Sequence, residues 1–139
     1  MANIYICRSD MKNFEGVLMA NPTYDEFTLM LDQAVSRIPE YYCRGLNGGF
    51  NVQRQQKRED DFYIMGEYVE DEHLGCFIVF YYGSFAALLK GDNLELWEDE
   101  IMDTVLHEMQ HHLESLAGRD DLARSEIAEL EKILRRGCC

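Results

Sequence analysis

The sequence predicts an α+β domain: a small, mostly antiparallel sheet of three to four strands packed with an N-terminal helix, a long central helix and a C-terminal helix. Apolar residues recur at helical spacing over 23–38 and again beyond residue 92. Between them, GFNVQ, FYIMGEYV and CFIVFYY are short runs rich in aromatic and β-branched residues. A 47% hydrophobic content in 139 residues is enough for one core, so a single domain spans 1–139. Within it, 1–22 reads as a lead-in and 137–139 as a frayed tail.

The first helix, 23–38, opens on a T-x-x-E capping box formed by Thr23 and Glu26. Phe27, Leu31, Ala34, Val35 and Ile38 share one face, and Pro39 ends the helix by disfavouring the helical state at Ile38. The second and third strands are joined by EDEHLG, a length suited to an antiparallel hairpin, with His73 facing solvent in the turn. CFIVFYY is apolar on both faces, as a central strand is. FAALLK fits helix or strand equally. The long helix starts at a D-x-x-E box, Asp92 and Glu95, and Gly118 ends it. The last helix, 121–136, places acids early and Arg135 and Arg136 late, matching the helix dipole.

Bulk charge narrows the partners. With 26 acidic against 13 basic residues the formal charge is −13, which repels nucleic-acid backbones and anionic membrane surfaces. No stretch reads as a secretory signal or a membrane span, so a cytoplasmic protein is expected. The five cysteines contain no CxxC pair, which points to reduced thiols rather than a disulfide frame or a cysteine-rich zinc site.

Chemistry concentrates in TVLHEMQHHLESLAG, which holds three of the four histidines. At about 100° per residue, His107 and His111 lie roughly 40° apart on one side of the helix. Ile101, Val105, Met109, Leu113 and Leu116 fall on the opposite arc, which predicts an apolar side on the core and two imidazoles on the side away from it. The i, i+4 spacing lets both rings reach one zinc ion at about 2.0–2.1 Å, and HEMQH is the H-E-x-x-H pattern in which Glu108 serves as general base.

Catalytic zinc takes a third protein ligand. Asp121 is the preferred candidate, because Gly118 lets the chain reverse and GRDD can return a carboxylate to the metal. Asp120 or Asp121 as an ordinary helix N-cap is the equal alternative. Glu114 suits a hydrogen bond to an imidazole better than a metal bond, and His112 reads as a packed or supporting histidine. Asp103 and Glu100 share the histidine face, where each reads as a solvated acid, with orientation of the imidazoles as the alternative.

At these residues the chain resembles the small bacterial zincin-like metallopeptidases, a minimal zincin domain. The resemblance runs from about Tyr24 to Leu122. It rests on AVSRIPEYY with GLNGGFNV, on MGEY, on LGCFIVFYYGSF and above all on TVLHEMQHHLESLAGRDDL. It implies a small sheet flanking an active-site helix, zinc on His107 and His111, Glu108 as the base, and a peptide or protein substrate. Related members continue H-E-x-x-H-x-x-G-x-x-D, whereas here Glu114 stands at the glycine position and GRDD arrives four residues later. The resemblance also implies substrate backbone along a strand beside the cleft, where Tyr81 or Tyr82 would stabilise an oxyanion; the favoured alternative is that each ring packs the sheet. The alternative is a non-catalytic zincin-like module that binds metal or a protein partner. Peptide deformylases also use H-E-x-x-H, but their EGCLS-type and GxGxAAxQ segments are missing here.

Overall fold

In the computed structural model, which describes residues 2–6, 21–118 and 121–136, with side chains for 21–118 and 124–135, the chain folds as an α+β domain. Helix α1 (Tyr24–Val35) begins at the expected capping box. The Glu26 amide donates to Thr23 Oγ1 at 3.1 Å and the Thr23 amide donates to Glu26 Oε1 at 2.8 Å. The helix ends at Val35, short of Ile38, and a turn brings the still-buried Ile38 to the core before Pro39. A single 3-10 turn follows at Glu40–Cys43.

The sheet has the order β1-β4-β5-β2, built from β1 (Ala2–Ile6), β4 (Phe62–Asp71), β5 (Gly75–Tyr81) and β2 (Gly49–Gln53), while the two-residue β3 (Arg58–Glu59) pairs with the start of β4. The predicted hairpin is β4–β5, and its turn is tighter than expected. Asp71 Oδ1 accepts from the amides of His73 and Leu74, and this local cap lets both strands extend further. Two features differ from the expectation. β2 joins β5 in parallel, and part of the lead-in forms strand β1, antiparallel to β4.

CFIVFYY does not stay extended through Tyr82. Helix α2 (Tyr82–Leu88) starts there, and Ser84 fastens its first turn to the chain before β3 by accepting from the Lys57 amide and donating to the Lys57 carbonyl. Helix α3 (Leu94–Ala117) is capped by Asn93, whose side chain accepts from the Leu96 amide at 2.9 Å, so the cap falls one residue after the predicted Asp92, which is buried. Gly118 closes α3 in the left-handed region at φ 65°, and α4 (Asp121–Arg136) has the predicted bounds.

All four described helices contribute to one core against one face of the sheet, where Phe27, Phe85, Trp97, Val105, Met109 and Leu134 meet Met65, Tyr68, Ile78 and Phe80. Ile64, Val79 and Tyr81 form a smaller cluster on the opposite face, as strand alternation requires. None of the described helices is long and apolar enough to cross a membrane.

The seat of α3 depends on a flaw in the ladder. Asn3 pairs with Gly66 but Ile4 pairs with Ile64, so Met65 is an extra residue, a β-bulge in β4. At that point α3 comes so close that a Cβ on Gly66 would lie 3.0 Å from Thr104 Cγ2, 3.1 Å from the Val79 carbonyl oxygen and 3.5 Å from Glu108 Cγ. We therefore expect Gly66→Val to force α3 off β4 and lower stability by about 1–3 kcal/mol, the usual cost of overpacking, measured by denaturant unfolding. An unchanged midpoint would show that the contact has slack.

Candidate metal centre

Buried positions on α3 are Trp97, Glu100, Ile101, Met102, Thr104, Val105, Glu108, Met109, His112 and Leu113, which cover more than half of its circumference. The histidine side is consequently not the wet side that the sequence predicts. β4 covers one flank through Thr104 and Glu108, and α4 covers the other, where Arg135 donates to Asp103 at 2.9 Å. His107 and His111 occupy the strip between these flanks, both half-buried, with 26% of the His111 side chain open to solvent. Apolar patterning alone misses this because the buried arc includes Glu100, Thr104, Glu108 and His112, all of them polar.

Within the strip the two rings converge. His107 Nε2 and His111 Nε2 are 3.3 Å apart, with ring centroids separated by 4.9 Å and planes at 81°. Two donors each about 2.0–2.1 Å from a tetrahedral ion sit roughly 3.3–3.4 Å apart, so the pair has the span of one edge of a zinc coordination shell. Burial lowers the pKa of both rings below the ordinary histidine value, and for His111 the neighbouring His107 adds to the effect. Both are neutral at pH 7, the form that binds metal.

Glu114 stands 3.8 Å from His111 Nδ1, the ring nitrogen turned away from His107. At that distance the two groups make no direct hydrogen bond, and the hydrogen bond to an imidazole expected of Glu114 is not formed. Glu108 is fully buried beside Gly66, one residue round the helix from His107. Asp121 is the first residue of α4, where an acid suits the helix dipole; its side chain and the whole of Asp120 lie outside the described residues. Among the described residues no group of three His, Cys, Asp or Glu side chains is arranged to hold a metal ion.

His112 has a different task. Its Nε2 lies 2.8 Å from the Arg44 carbonyl, which only accepts, so Nε2 carries the proton and Nδ1 accepts from the Tyr68 hydroxyl at 2.9 Å. This ring pins α3 to β4 and to the loop before β2. Expected neighbours elsewhere are corrected. Glu100 is buried rather than solvated, and Asp103 is ion-paired with Arg135. Tyr81 donates to Glu67 Oε1 on the opposite face of the sheet, and Tyr82 donates to the Pro22 carbonyl, so neither hydroxyl serves the histidine pair. Gly66 is the site residue that sequence reasoning passed over; its only signal is a glycine inside a strand pattern.

Beside His107 lies a pocket of about 260 Å³, lined by Leu106, Gln110 and Ile127 with Asp103, Glu131 and Arg135. Two convergent imidazoles and a buried carboxylate thus lie on one helix of an α+β domain. No family model and no curated protein matches the chain. Among solved structures it is similar to a conserved hypothetical protein from Thermus thermophilus, 38% identical, with a TM-score of 0.61 over 70% of this chain and 100% of that one. The chain belongs to the same family as that protein.

Burial lowers the pKa of His112 as well, so all three rings bind protons more tightly in the unfolded chain than in the folded one. Stability is therefore complete above the unfolded histidine pKa of about 6.5 and is lost as pH falls through the lower folded values. Thermal unfolding of the chelator-treated protein should show a midpoint that drops between about pH 7 and pH 5. His112→Leu should cost about 1–3 kcal/mol for each buried partner left unpaired and flatten that pH dependence; an unaltered slope would contradict the assignment.

Proposed function

We propose that the protein is a zinc-dependent peptidase in which His107 and His111 hold the ion and Glu108 is the general base. The observation that carries this is the 3.3 Å approach of the two Nε2 atoms, which matches a zinc chelate. The third donor is Asp121, whose helix start follows the turn at Gly118. The zincin-like resemblance supports His107 and His111 as ligands and Glu108 as the base.

Zinc held by these residues would supply Lewis acidity, lowering the pKa of a bound water towards neutrality and polarising the peptide carbonyl. Hydrolysis joins the water oxygen to the carbonyl carbon and breaks the C–N bond. Glu108 takes one proton from the water and delivers it to the leaving nitrogen. Burial beside Gly66 restricts the Glu108 side chain. Asp103 and Glu131 outnumber Arg135 around the pocket beside His107, which favours substrates with a neutral or basic side chain there. The half-buried free thiols of Cys43 and Cys76 fit a reducing, cytoplasmic setting.

Glu108→Gln should retain about one zinc per chain while losing roughly 10²–10⁴-fold in peptide hydrolysis, and His107→Ala with His111→Ala should lose the metal. Metal content by mass spectrometry and turnover of a peptide library check both. Undiminished turnover in Glu108→Gln would overturn the mechanism. Stoichiometric zinc without turnover in the unaltered chain would leave the non-catalytic metal-binding module instead.

A further inference from the structure

A peptidase has to hold an extended backbone beside its base, and the nearest strand edge already carries one. Glu108 packs on Gly66 of β4, and opposite Gly66, on the outer side, stands Asn3 of β1. β1 runs antiparallel along β4 from Ala2 opposite Glu67 to Ile6 opposite Phe62, and it also contacts α3. The other side of β4 is taken by β5 from Gly66 onward, so among the described residues the β1 side is the only lateral place on β4 for a peptide at the level of Glu108. Backbone pairing is sequence-tolerant, and an added strand recognises any extended peptide of suitable side-chain shape.

The ladder also breaks at this place. The bulge at Met65 interrupts pairing between Asn3 and Ile4, so β1 is held by two short stretches rather than one continuous run. A five-residue edge strand divided in this way is a weak occupant compared with the long β4–β5 pairing beside it.

We propose that β1 is an intramolecular occupant of the edge where an extended peptide substrate binds, and that substrate enters by displacing Ala2–Ile6 from β4. This inference rests on the peptidase reading for its purpose, but its test does not depend on turnover. Apparent affinity for a peptide on that edge is reduced by the fraction of molecules in which β1 has left it.

The test uses the full chain carrying Glu108→Gln, which removes hydrolysis from the readout, and a fluorescently labelled ANIYI peptide with blocked ends, followed by anisotropy. Ile4→Pro, which breaks the β1 ladder, should bind this peptide about tenfold or more tightly than the chain with β1 intact. Equal affinity in a folded variant, judged by helical circular dichroism, overturns the proposal. Should Ile4→Pro not fold, hydrogen exchange on the unaltered full chain decides. Saturating peptide should strip protection from the Ala2–Ile6 amides while the β4 amides keep theirs, and retained protection in β1 overturns the proposal. Absence of zinc or turnover would instead sink the peptidase reading and leave this edge exchange standing.

Discussion

Everything at the candidate site follows from how closely α3 lies on β4. The approach is possible because Gly66 has no side chain where Thr104 and Glu108 arrive, and because the bulge at Met65 lets two consecutive residues face the helix side. Drawing α3 down at this point submerges Glu108 completely. It leaves His107 and His111, on the next strip round the helix, at the rim of the buried region. Their intermediate burial lowers the pKa of both rings while leaving part of each open to solvent.

Three histidines on two consecutive turns of one helix thus meet two kinds of surroundings, according to their angle round the helix and what packs there. His111 and His107 share a strip and point at each other, whereas His112, about 100° further round, is driven into the core and satisfied by Tyr68 and Arg44. The hydrogen-bonded His112 fixes the rotation of α3 about its own axis. That rotation decides which surroundings the half-buried His107–His111 pair faces, while the spacing of the pair is set within the helix itself.

Much of this was legible in the sequence, for reasons that are local. Thr23 and Glu26 cap α1, Gly118 ends α3, and the polar turn joins β4 to β5, because each signal acts within a few residues. The elements that differ from expectation are those fixed by distant contacts. Strand β1 exists through pairing with β4 some 60 residues away, as Ala2 opposite Glu67 illustrates, and α2 begins at Tyr82 because Ser84 engages Lys57. The wet histidine face fails for the same reason, since burial of Glu100, Glu108 and His112 depends on the sheet and loops around α3 rather than on residue polarity. The i, i+4 convergence itself was readable, being intrinsic to the helix.

The central claim is that the two imidazoles share one ion through Nε2. X-ray absorption at the zinc edge, on protein loaded with one equivalent of zinc, tests it most directly. The account predicts a first shell containing two imidazole nitrogens at about 2.0–2.1 Å, with the outer-ring scattering of imidazole, and loss of that pattern in His107→Ala. A shell of light atoms without the imidazole pattern, or one unaltered by His107→Ala, would contradict it.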